Sequence, residues 1–370
     1  MTPTQHEQTS PTLEWDAGTA YDFFISYRVL ANPKQFGVRS AWASGMRARL
    51  QPADRETLDA SLLVLPTVGQ WLYTLPALKD VAHALRALTD IPAAQRLLRV
   101  AGWCDEQDGR SPTQNLLYRV WSEGSWSDET LKRFRELRSE GKGSHQGDKG
   151  DDTLRRILDI WAHAEDFGER YLSALRNYYD VFFAEEERRI ASTLETALER
   201  AKARAVALSL ADLMEELSQG IRYESTSELD RLTLVPSYWV SPFIQVIRIG
   251  RGHRMWAFGA RPATDSIVPG EPVPDALRIS LKALADPTRL RILRYLHREP
   301  QTLSDLTKQL RLRMPTVMHH MSVLRMAGLV SIHLQGEEKG RRAQYSTRAD
   351  GLTAAIQSLR GFIEDDVSSS

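Results

Sequence analysis

Side chains able to do chemistry are concentrated in two places along this chain. The first is the segment running from Asp152 to Phe183, where Asp159, His163 and Asp166 lie at i, i+4 and i+7, the spacing that puts three metal-ligand types on one helical face. Arg156 and Arg170 sit among them, so an ion-pair face accounts for the same pattern. The second is the stretch RLRMPTVMHHMSVLR, residues 311–325, with Arg313, Met314, Thr316, His319, His320 and Arg325. Thr and His hydrogen-bond to base edges, Met meets a thymine methyl, and Arg neutralises phosphate. Adjacent His319 and His320 point about 100° apart on a helix and do not converge on one ion. The glycine-containing GKGSHQG, residues 141–147, lacks the order of a phosphate-binding loop and follows no strand. No nucleophile elbow, zinc-protease or deaminase signature occurs. The reading is of a protein that is not an enzyme and carries no cofactor and no metal.

The elements that must position the second group are legible around it. LKALADPTRLRILRYL, residues 281–296, predicts a helix with Pro287 at its start and Leu290, Leu293 and Leu296 on one face. TLSDLTKQL follows with Thr302 as N-cap and Asp305 three residues on, burying Leu303, Leu306 and Leu310. After a short turn, a second helix holds Val317, Met321 and Leu324 inward and stops at Gly328. Two short helices joined in this way make a helix-turn-helix, which offers its second helix to the major groove. LVSIHL and AQYST then alternate like two strands around QGEEKGRR, a basic wing in which Lys339, Arg341 and Arg342 would follow phosphates.

Charge supports this division. The 370 residues carry 48 Lys and Arg against 48 Asp and Glu. From Asp275 to Ile363, however, fifteen basic residues face seven acidic ones, a basic module on an acidic body, and double-stranded DNA is the expected partner of the module. One cysteine, Cys104, excludes an internal disulfide framework and fits a cytoplasmic protein. Ala60–Leu78 is free of charge but contains Pro66, Gly69 and Pro76, which suits a buried bend between helices and not a membrane span.

Residues 281–348 resemble the ArsR-like winged-helix repressors, whose typical run "LadptRLrIL", "seLa", "vS-HLkvLr-aGLv" they follow. Three positions depart from it. Arg311 stands where the family usually has glycine, Arg313 where it has an N-capping serine, and Met318 where it has the serine before the retained histidine, His320. The resemblance implies a dimeric transcriptional repressor. It also implies that the helix before the motif and the last helix pair across a two-fold axis, with Leu277, Leu281, Leu352, Ile356 and Leu359 at the interface; the apolar stripe of the last helix serves intradomain packing equally well. The family's metal-sensing positions carry no cysteine or histidine here, so metal sensing of the usual design is not expected.

The expected fold is α+β: a disordered tail (1–15), a predominantly α-helical sensor or scaffold domain ending in a small antiparallel sheet (16–260), an extended linker with four prolines (261–275), the winged helix-turn-helix (276–363) and a tail (364–370). All nine tryptophans precede the last domain, either as core or as the lining of a pocket for a small-molecule or protein effector. The alternative function is an enzyme or protein-interaction module that uses a winged helix for docking.

Overall fold

A computed structural model describes residues 11–65, 68–103, 110–140, 150–223, 229–334 and 343–365. The chain divides into two compact units, one of residues 18–31 and 44–188, the other of residues up to 17, 32–43 and 189 onward.

The first unit is helical: α1 (Thr19–Ala31), α2 (Ser40–Ala48, crossing the division), α3 (Pro52–Val64), α4 (Gly69–Thr74), α5 (Val81–Asp90), α6 (Ala93–Val100), α7 (Pro112–Glu123), α8 (Asp128–Glu140), α9 (Asp151–Ala162) and α10 (Ala164–Tyr178), the last running into a π-helical turn at Tyr179–Phe183. Side-chain caps start several of them. Ser111 accepts from the Gln114 amide while Gln114 returns the bond, and Asp80 accepts from the His83 amide. The core is aromatic, with Phe23 against both Tyr178 and Phe183 and with Trp103 stacked on buried Trp161 at 4.5 Å. The half-buried Glu187 ties two helix starts together: its carboxylate accepts from the Val81 amide, the Thr19 hydroxyl and, at 2.8 Å, the Tyr179 hydroxyl.

The helix expected to run unbroken through Asp159, His163 and Asp166 ends at His163, which has φ −111° and bonds back to the Asp159 carbonyl. The Asp159 carboxylate takes the Trp126 indole N–H at 2.8 Å, and Arg156 pairs with Glu56 at 3.1 Å. Among the described residues no group of three His, Cys, Asp or Glu is placed to hold a metal ion. No helix among them is long and apolar enough to cross a membrane.

The second unit contains β1 (Thr12–Trp15), α11 (Ala184–Ala207, entering from the first unit), α12 (Leu210–Leu217), β2 (Ile221–Tyr223), β3 (Arg231–Ser237), β4 (Ile244–Gly250), β5 (His253–Gly259), α13 (Asp275–Leu284), α14 (Pro287–Arg298), α15 (Leu303–Leu310), α16 (Met314–Met326), β6 (Val330–Leu334), β7 (Gln344–Thr347) and α17 (Ala349–Asp365). Among the described residues two sheets form, ordered β1-β3-β5-β4 and β2-β6-β7.

Four expectations are corrected here. Thr12–Trp15, placed in the tail, is a strand paired in parallel with Arg231–Leu234. The four-stranded sheet is mixed, not antiparallel: β4 folds back on β5 as an antiparallel pair, whereas β1 with β3 and β3 with β5 pair in parallel. Gly252 makes the tight β4–β5 turn with φ +66°, where a Cβ would fall 2.0 Å from the Asp230 carboxylate. The segment 261–275 is not a free linker, because Ile267 is buried and its amide donates to Asp275 at 2.9 Å. Finally, β2 leaves the body to pair in parallel with β6, so the C-terminal module draws a strand from before residue 260.

Residues 32–43 complete this unit. The Gly37 carbonyl accepts from Arg278 at 2.7 Å, Phe36 meets Phe243 edge-on, and Trp42 stacks with buried Trp239. Trp256 joins Leu232, Leu234 and Phe258 in the core under α12. The tryptophans thus divide among several cores and do not gather around one cavity among the described residues.

Candidate nucleic-acid interface

The C-terminal module is built on Ile292, Leu293 and Leu296 of α14, Leu306 and Leu310 of α15, Val317, Met321 and Leu324 of α16, and Val330 of β6. Each helix starts as its sequence dictates. Asp286 caps α14 by accepting from the Arg289 amide at 3.0 Å, with Pro287 following. That bond, with the nearby Arg289 and His320 charges, holds the Asp286 carboxyl below its ordinary range against a raising effect of burial. Thr302 and Asp305 form the reciprocal capping box of α15. Leu290 departs from the expected inward face and is 48% exposed.

The turn between α15 and α16 pivots on Arg311, which adopts φ +55°, ψ +40° and is exposed. This left-handed conformation explains why glycine suits the position, since a β-carbon is disfavoured there. Arg313 takes the N-cap place of α16 and supplies no side-chain bond, so the helix begins without a side-chain cap.

On α16, Arg313, Thr316 and His319 are exposed at a spacing of three, opposite the buried Val317, Met321 and Leu324. Ser322 continues this exposed row. Sequence reasoning passed over Ser322 and Arg311, although the i, i+3 repeat points to the first and the family's usual glycine to the second. Met314 is half-buried, its sulfur 3.7 Å from the Thr307 hydroxyl, and it belongs to the α15–α16 packing.

Two of the expected contacts face elsewhere. His320 turns toward α14, its side chain 14% exposed and Nδ1 3.9 Å from the Asp286 carboxylate. Burial, with the Arg289 and His319 charges, lowers its pKa below that of a free imidazole even though Asp286 pulls the other way. Arg325 is buried. Its guanidinium donates to the Gln219 carbonyl at 2.8 Å and to the Ser218 carbonyl, satisfying the end of α12, and burial pushes its pKa down to about 10. It anchors the strand-bearing segment to the module and is not available to phosphate. Lys339, Arg341 and Arg342 lie outside the described residues, as do all of residues 335–342, between the antiparallel strands β6 and β7.

The proposed pairing stripe is likewise divided. Leu277 is buried at 1% exposure and Leu352 packs against the module's own core, so neither is free for a partner. Leu281, Ile356 and Ile363 are exposed, at 39%, 65% and 60%, while Leu359 is half-buried.

This arrangement, a capped helix, a tight left-handed turn and a second helix with a polar outer row, defines a helix-turn-helix protein. Residues 284–333, from the end of α13 into β6, match the family described as a helix-turn-helix domain. The chain is also similar to the transcriptional repressor SdpR of Bacillus subtilis (strain 168), being 32% identical to it over 82 residues, which are 87% of that protein and 22% of this one. At that identity across most of the relative, the chain belongs to the same helix-turn-helix family. No solved structure matches the chain significantly.

Proposed function

We propose that the chain is a sequence-specific regulator of transcription that binds double-stranded DNA through α16, acts as a two-fold dimer and responds to an effector. The observation that carries this reading is the exposed row Arg313, Thr316, His319 and Ser322 on a helix whose opposite face is locked into the core. A helix held in this way enters the major groove, where polar side chains reach base edges. The similarity to a transcriptional repressor supports repression as the outcome. The reading assigns the connection between β6 and β7 as a basic wing of the ArsR-like kind, exposed Leu281, Ile356 and Ile363 as the dimer surface, and no catalytic reaction to the chain.

Selection of bound sites from random duplexes by the full chain tests it. The expected product is an inverted repeat with half-sites about one helical turn apart, bound with an affinity that falls steeply with salt. Failure to enrich any sequence, with no salt-dependent binding, favours a module that docks on protein instead.

A further inference from the structure

Within the second unit, a cavity of about 340 Å³ opens between the loop after β3, the start of the 261–275 segment and the helices α13, α16 and α17. Its walls are amphipathic. Leu277, Met326 and Ala355 supply apolar surface, while Arg261, Arg348 and Asp265 supply charge, two guanidiniums against one carboxylate.

Arg261 is the unusual member. Its side chain is 6% exposed. The Nη2 group donates to the Ser241 carbonyl at 3.0 Å, but Nη1 is buried with no hydrogen-bond partner and lies 3.8 Å from the Asp275 carboxylate. Asp275 balances the charge at that distance, and the Tyr238 ring faces the guanidinium at 5.7 Å, but no hydrogen bond to Nη1 forms, because one Asp275 oxygen serves Arg278 at 2.8 Å and the other accepts the Ile267 amide. A buried guanidinium left with an open donor is costly, and an anionic oxygen delivered to it would recover that cost. In the cavity lined by Glu56, Arg156 and Asp166, by contrast, Arg156 is already paired with Glu56 at 3.1 Å.

We propose that this cavity is an effector site for an amphipathic monocarboxylate, whose head is bound by Arg261 in the positive field of Arg348 and whose apolar body lies against Leu277, Met326 and Ala355. The volume suits a small aromatic or medium-chain acid, at the lower end of small-molecule sites. Met326, Ala327 and Gly328, which end α16, form part of the wall, so occupancy bears directly on the helix assigned to DNA. The site does not depend on the DNA-binding reading; its regulatory consequence does.

The test uses the full chain and 4-phenylbutyrate, with 4-phenylbutanamide as the uncharged counterpart and acetate as the head alone. Calorimetry is expected to show one saturable phenylbutyrate per chain, at least about tenfold tighter than the amide or acetate. Arg261→Met should weaken it by about tenfold or more. Ala354→Trp, at an exposed helix position on the cavity wall, should abolish binding with an unchanged melting temperature, which keeps the test decisive if the arginine variant does not fold. Equal affinity for the amide, binding that survives Ala354→Trp, or no saturable binding of phenylbutyrate would overturn the site. On a duplex selected as above, saturating phenylbutyrate should change DNA affinity about fivefold or more in the native chain and not in Ala354→Trp. An unchanged affinity would refute the effector role; absence of any duplex binding would refute the DNA reading and leave the calorimetric result standing.

Discussion

At the scale of single residues, the two arginines at the helix-turn-helix turn are in conflict with local stability. Arg311 occupies a left-handed conformation and Arg313 an N-cap without a cap bond. Replacing Arg313 with Ser should stabilise the module by about 1 kcal/mol, read by chemical denaturation, because the hydroxyl would accept a first-turn amide. If Arg313 meets phosphate as proposed, the same variant should bind all duplexes more weakly and with a shallower salt dependence. Thr316→Ala and His319→Ala should instead cost about 1–3 kcal/mol mainly on the preferred site, measured as the ratio of specific to nonspecific binding. Arg325 behaves oppositely to both groups: Arg325→Met should lower stability by about 2 kcal/mol, since it strands the Ser218 and Gln219 carbonyls. The sequence shows Arg313, Thr316 and Arg325 alike as polar residues on one helix. Only the packing of a segment about a hundred residues earlier tells the anchor from the outward pair.

At the scale of elements, what was legible was local. Pro287 at a helix start and capping by Thr302 with Asp305, together with the spacing of Leu293, Leu306 and Leu324, specify α14 to α16 within a few turns of each residue. What was not legible depends on distant partners. TLEW and IRY are too short to declare themselves as strands until β3 and β6 supply their hydrogen bonds, and prolines in 261–275 conceal a buried Ile267. The junction of α14 and α16 carries a pH dependence. The native state lowers the pKa of His320, and of His253 at the start of β5 in the four-stranded sheet, with burial the leading cause in both. Stability from keeping them neutral is complete above the unfolded value of about 6.5 and is lost as pH falls through it toward the lower folded values. The melting temperature should therefore fall between about pH 6.5 and 5, and His320→Asn should flatten part of that decline. Close approach makes a further demand at Gly351 of α17, where a Cβ would lie 2.1 Å from the Gly328 carbonyl. Gly351→Ala should cost about 1–3 kcal/mol, visible as an earlier denaturation midpoint.

At the scale of the whole molecule, the exposed apolar residues Leu281, Ile356 and Ile363 form the surface assigned to a second copy. Ile356→Asp combined with Ile363→Asp should leave the fold intact and convert a dimer into a monomer in sedimentation, with loss of binding to the inverted repeat but retention of weak binding to a half-site. An unchanged sedimentation coefficient would remove these helices from the interface.

The parallel pairing of Ile221–Tyr223 with Ile332–Leu334 also sets an order in time. Ribosomal synthesis delivers β2 more than a hundred residues before β6 exists, so the early strand waits unpaired while β3, β4 and β5 emerge and assemble. Closing so long a loop is slow compared with forming α14 to α16. A fragment that starts at Asp275 would keep every local signal of the helix-turn-helix and still present the bare edge of β6 to its neighbours, an invitation to intermolecular strand pairing that the intact chain forecloses.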